Sequence, residues 1–144
     1  MNTNNIVGTW TIISMKATNT KGDVIAPFGE NPVGKIIYTS DGDMAVVYMR
    51  PDRQKFASDD LAGCTSEEIE QAFEGFDAYC GTYEVDADKG VVTHYVEASR
   101  YPNWEGSTQI RYLAFFDDQV QLSTTPIAAL GDEWIMDLRW RRKT

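Results

Sequence analysis

The stretch THYVEASRYPNWEG, residues 93–106, carries the chain's only histidine, a glutamate three positions later and a Pro-Asn turn between aromatics. An imidazole titrates near neutrality, so His94 is the side chain best suited to general acid or general base work. Extended-chain alternation puts Val92, His94, Val96 and Ala98 on one face of a strand and Val91, Thr93, Tyr95 and Glu97 on the other. The first face is the more apolar and is expected inside. Glu97 then points outward, solvated or paired with Arg100, so His94 and Glu97 form no dyad. Three roles stay open for His94: a core histidine bonded to a tyrosine or carbonyl, which is the first expectation, a ligand contact, or the acid–base group of a catalyst.

Arg111 is the second candidate. If strands 90–98 and 107–116 pair with matched ends, Arg111 falls opposite His94, and directly opposed residues share a face. The two would then make a polar spot suited to a carboxylate, enolate or phenolate. His94 and Arg111 are therefore the tentative catalytic pair. Tyr38, Tyr48 and Tyr83 lie on strand faces of mixed company; core packing is the default for each, and a buried hydroxyl can also hold a polar ligand group. In the turn, Pro102 fixes φ and Gly106 relieves the return, while Trp104 is either a cavity lid or a satellite contact. The loop MRPDRQKFASDDLAG gathers Arg50, Arg53, Lys55 and Phe56, first read as solvated and otherwise as a mouth for an anion. Ser14 is placed inward but stands in no Gly-x-Ser-x-Gly pattern.

The elements that must position these residues are mostly strands. Period-2 alternation recurs over 8–17, 34–39, 43–49, 79–86, 90–98, 107–116, 119–124 and about 132–142, with SDGD, DADKG and Asp117-Asp118 as turns. One segment differs. In TSEEIEQAFEGF, Thr65 and Glu68 fit a capping box, and Ile69, Ala72, Phe73 and Phe76 form one apolar face of a short helix at about 66–76. Such a helix is expected to pack across a barrel end or a sheet face. The fold class expected is all-β: about eight antiparallel strands in an up-and-down barrel with one short helix, and a β-sandwich as the alternative.

Composition narrows the function classes. The chain has 144 residues, expected to form one domain over 1–144, with 42% hydrophobic and 12% aromatic content and a net charge of -9. That charge disfavours nucleic acid, whose phosphates need Lys/Arg clusters. No export signal or membrane-length apolar run is read in the sequence, so a cytoplasmic protein with no membrane partner is expected, and Cys64 and Cys80 are expected as free thiols. There is no CxxC, HExxH or nucleotide-binding glycine motif, so no metal and no cofactor are expected.

The two ends of the chain look made to meet. The last strand puts Trp134, Met136, Leu138, Trp140 and Arg142 on its inner face, and antiparallel closure on the first strand brings Arg142 to Trp10. A Gly-x-Trp opening the first strand and an arginine closing the last resemble the lipocalins. The blocks VGTW, PFGENPVGKIIYTSDGDMAVVYMRPDR, FASDD, YCGTYEVD, VTHYVEASRYPNWEG and LSTTP resemble bacterial and fungal lipocalin-like domain proteins over nearly the whole chain. The resemblance implies a barrel with an internal cavity and no one settled activity.

The resulting expectation is a barrel that binds a small, largely apolar or aromatic molecule, as monomer or homodimer. Trp10 and Arg142 close it, Ile12 lies inside, and Tyr38, Tyr48, Tyr83, His94, Val96, Trp104, Arg111 and Trp140 are the expected ligand contacts. The alternatives are a cofactor-free isomerase, cyclase or lyase using the same cavity, and a module whose barrel is filled by its own side chains.

Overall fold

Alternation becomes ten antiparallel strands in the computed structural model, which describes residues 3–144; Met1 and Asn2 of the expected domain lie outside the described residues. After a 3-10 turn, Thr3–Ile6, come β1 (Gly8–Asn19), β2 (Val24–Ile25), β3 (Val33–Tyr38) and β4 (Asp43–Met49). The one α-helix among the described residues, α1 (Ser66–Glu74), precedes β5 (Phe76–Asp86), β6 (Val91–Ser99), β7 (Thr108–Phe116), β8 (Gln119–Thr124), β9 (Ile127–Ala129) and β10 (Asp132–Arg142). The sheet order is β2-β1-β3-β4-β5-β6-β7-β8-β10-β9, and β1 also pairs with β10. The eight long strands therefore close into a barrel, as expected, while β2 and β9 extend its rim beside β1 and β10.

Closure is made where the sequence placed it. Trp10 pairs with Arg142, and the guanidinium carbon lies 4.1 Å from the Trp10 ring centroid. Arg142 donates to the carbonyls of Val7, at 2.8 Å, and Asn5, while the Trp10 indole donates to Ile6 at 2.9 Å. Gly8 belongs to the same knot. Its φ is +133°, and a Cβ there would stand 3.0 Å from an Arg142 nitrogen, so a side chain would be both strained and crowded.

Two bulges shift the inward face. Between Ile12 and Ser14 the β1–β10 register slips by one, so Met15 and Ala17 turn inward. Ser14 pairs with Arg139 on the outer face, contrary to its expected inward position. On β6, Cys80 pairs with Ala98 but Gly81 with Val96, so Glu97 is the extra residue and Ala98 is exposed instead of inward. Gly81 permits that bulge, since a Cβ there would lie 1.8 Å from the Tyr95 carbonyl.

The helix forms for the expected reason. Thr65 accepts from the Glu68 backbone N–H at 3.2 Å, and the Glu68 carboxylate accepts from the Thr65 N–H at 2.9 Å. It ends earlier than expected because Gly75 caps it, leaving Phe76 to start β5. Nine residues span only about 13 Å, and Ile69 and Phe73 stay half exposed.

Candidate functional site

A cavity of about 720 Å³ runs from the barrel interior to the surface. Its inner wall includes Ile36, Val46, Leu122, Leu138 and Trp140; its mouth lies among Phe73 of α1, Tyr101 and Asn103 of the 100–106 loop, and Pro126 and Ala128 before and within β9. The wall is largely apolar and aromatic; its charged and imidazole groups are Asp77 on β5, His94 on β6, Arg100 in the loop after β6 and Arg111 on β7.

His94 is 1% exposed and held at both ring nitrogens. The Tyr38 hydroxyl lies 2.6 Å from Nε2 and the Tyr79 hydroxyl 2.6 Å from Nδ1. Burial, followed by the positive charge of Arg111, lowers its pKa to about 3, so the imidazole is neutral at physiological pH. A neutral imidazole offers one donor and one acceptor, which two hydroxyls satisfy completely. Burial likewise raises both tyrosine pKa values, with that of Tyr38 well above 10.0. Tyr38, His94 and Tyr79 thus form a protonated, uncharged hydrogen-bonded string.

Arg111 is 7% exposed and faces inward. Its register differs from the matched-end expectation: Arg111 pairs with Val92, and His94 pairs with Gln109. The ladder closes at Val96 and Ser107, because the 3-10 turn Pro102–Trp104 takes up chain that matched ends would have put into strand. A slip of two preserves the face, so Arg111 stands diagonal to His94 instead of opposite it. Its guanidinium lies 5.9 Å from the Trp104 ring centroid and donates at 3.0 Å to the Ile110 carbonyl. No carboxylate pairs with it among the described residues, where the ion pairs are Lys16–Glu30, Arg50–Asp52, Arg100–Asp77 and Arg141–Asp118.

A second polar group is self-contained. Asp77 accepts from the Tyr48 hydroxyl at 2.9 Å, the Ala78 N–H at 3.0 Å and Arg100 Nε at 3.4 Å. Arg100 also lies 4.1 Å over the Phe73 ring and donates to the Phe73 carbonyl at 2.8 Å, tying the helix end to the mouth.

Of the residues expected to contact a ligand, Tyr48, His94, Trp104, Arg111 and Trp140 line the cavity. Tyr38, Tyr83 and Val96 do not. Tyr38 sits behind His94, Tyr83 donates to the Thr39 carbonyl at 2.6 Å and packs edge-on against Tyr38, and Val96 is buried in the core. Ile12, also expected inside, is buried but is not in the wall. Trp104 is half-buried and packs edge-on against Tyr79, with ring centroids 5.9 Å apart. Arg50, Arg53, Lys55 and Phe56 line a separate, smaller surface cleft beside α1. The cysteines are unpaired, and no cluster of metal-ligating residues occurs among the described residues.

Tyr79 and Asp77 are the residues that sequence reasoning missed. Alternation back from Tyr83 reaches Tyr79 and then Asp77, so the signal existed. Tyr79 stands at the first position of the expected strand 79–86, whereas carrying the helix to residue 76 and opening the strand at 79 leaves Asp77 outside it.

Fold and site together define a closed antiparallel barrel with an internal cavity, the architecture of a lipocalin-like protein. The lipocalin-like domain family matches residues 7–143, and the chain belongs to it. Over 106 residues, 69% of this chain and 96% of the relative, it is 33% identical to a 4'-hydroxy-3'-methoxypropiophenone carrier protein of Aspergillus oryzae. A crystal structure of a mutant of the fluorescent protein UnaG aligns over 96% of both chains, with 11% identity and a TM-score of 0.43.

Proposed function

We propose that this protein is a carrier that holds one small, largely aromatic molecule inside its barrel. The observation that carries the reading is the cavity of about 720 Å³ with aromatic walls and a few convergent polar groups. That volume falls within the usual range of small-molecule sites, on the order of 300–1,000 Å³. The Aspergillus relative, named as a carrier of an aryl ketone bearing a phenol, supports the same ligand class. Tyr48, His94, Trp104, Arg111 and Trp140 are the proposed contacts, and Trp10 with Arg142 the proposed closure.

Use of the cavity for cofactor-free isomerisation, cyclisation or elimination has less support. Such a catalyst needs a group that exchanges a proton near neutrality. His94, with a pKa of about 3 and both nitrogens occupied, is a poor base and is not an acid at that pH.

The test is a titration of the protein with 4'-hydroxy-3'-methoxypropiophenone, followed by tryptophan fluorescence, since Trp104 and Trp140 line the cavity. Saturable quenching with one site per chain is the expected result, and Trp104→Phe should reduce its amplitude. No saturable change with this ketone or with simple aryl ketones would leave the cavity without the assigned role.

A further inference from the structure

Charge in the cavity is unbalanced. The ionic and titratable groups facing it are Asp77 and Tyr79 on β5, His94 on β6, Arg111 on β7, Tyr48 on β4, and Arg100 and Tyr101 in the loop after β6. Tyr38 on β3 backs them through His94. Asp77 is matched by Arg100, and His94 is neutral, which leaves the Arg111 cation without a counter-charge among the described residues. Buried ions are ordinarily paired, because burial removes the water that would otherwise stabilise them. The only sealed side-chain N or O without a partner among the described residues is Trp140 Nε1. The spare N–H groups of Arg111 are therefore not walled off; they reach the cavity that Arg111 lines.

The tyrosine–histidine string adds a second donor of fixed direction. Tyr38 is 1% exposed, does not line the cavity, and has His94 Nε2 as its hydroxyl partner. Were Nε2 to carry the proton, the Tyr38 hydrogen would be sealed with no acceptor, an arrangement that folded proteins avoid. The consistent assignment has Tyr38 donating to Nε2 and Nδ1–H donating to the Tyr79 oxygen. Tyr79, which does line the cavity, is then left with its own O–H to donate. Tyr79 and Arg111 both pack against Trp104, the Tyr79 ring centroid and the Arg111 guanidinium each 5.9 Å from the Trp104 ring centroid, and all three line the cavity, so the two donors are neighbours.

We propose that Arg111 and Tyr79 form an oxyanion subsite, and that the protein binds its aromatic ligand through an acidic oxygen, a phenol or enol, held as the conjugate base. This rests on the carrier reading of the cavity and adds the ligand's ionisation state to it. On binding, the ligand's O–H proton passes to solvent buffer; the guanidinium supplies the missing counter-charge and Tyr79 donates the second hydrogen bond. His94 and Tyr38 are positioning residues that set the direction of the Tyr79 hydroxyl.

The experiment uses 4-nitrophenol, whose neutral and ionised forms absorb at different wavelengths, beside its methyl ether 4-nitroanisole. Absorbance titrations from acid to alkaline pH, with protein in excess, give the pKa of the bound phenol. The expected result is a bound pKa at least about one unit below the free value, which means phenolate held about tenfold or more tightly than phenol. Arg111→Met should abolish the shift, Arg111→Lys should retain part of it, and Tyr79→Phe should diminish it. If the ether binds while the phenol's pKa is unchanged or raised, the cavity reading stands and the oxyanion subsite is overturned. If neither compound binds, both fall together.

Discussion

Two Arg–Trp pairs in this barrel show how one pair of residue types can serve different ends. Arg142 lies 4.1 Å from the Trp10 ring centroid and is hydrogen-bonded to the backbone carbonyls of Val7 and Asn5. Neither residue touches the cavity. Arg111 lies 5.9 Å from the Trp104 ring centroid, has one backbone carbonyl as acceptor, and lines the cavity along with that tryptophan. In the first pair the protein supplies the acceptors, so the pair stabilises the fold. In the second it withholds them, so the donors remain for something else.

The first pair should therefore give the largest stability losses. Trp10→Ala removes a 1%-exposed indole and should cost ~3–5 kcal/mol in a urea unfolding titration. A loss under ~1 kcal/mol would mean that the closure is not what holds the barrel. The pH dependence set by His94 comes next. Its folded pKa of about 3 lies below the ordinary imidazole value of 6.5, so the unfolded chain takes up the proton first as pH falls. The stability it contributes is present above pH 6.5 and is lost progressively down to about 3. His94→Gln lacks this component, so its deficit against the parent protein at pH 7 should shrink by on the order of a few kcal/mol towards pH 4. A deficit independent of pH would show that His94 is not buried as a neutral imidazole.

Most of the barrel could be read from the sequence because alternation and turn chemistry are local. His94, Trp140 and Arg142 face inward as their strands' periodicity requires, and Thr65 with Glu68 starts the helix as its spacing requires. What was not legible depends on partner strands. A bulge such as the one at Glu97 exists only relative to the strand beside it, so alternation carried Ala98 inward when it is exposed. The β6–β7 register depended on how much chain the 102–104 turn consumed. The site was legible to the same extent. Inward residues could be named, but separating the cavity wall from the packed core behind it was not possible from one strand at a time. Tyr38 and Tyr48 share a type and an inward face, yet only Tyr48 meets the cavity. Likewise, the Asp77–Arg100 pair that leaves Arg111 unmatched joins two segments 23 residues apart.

The contrast between the arginines is sharpest when both receive the same substitution. Arg142→Met keeps an apolar stem of similar length but forfeits the cation–π contact and the bonds to two carbonyls. It should lower stability by ~1–3 kcal/mol. Arg111→Met removes a buried charge that no carboxylate offsets, at the loss of one hydrogen bond to a carbonyl. Replacing a poorly compensated buried ion by an apolar side chain of similar volume is commonly neutral or favourable. Its stability in the ligand-free state should therefore be unchanged or raised by up to ~1 kcal/mol, the smallest of these effects and of opposite sign. Paired urea titrations of ligand-free protein measure both. Equal losses at the two positions would make Arg111 a structural residue like Arg142, and the oxyanion subsite would lose the unmatched charge on which it depends.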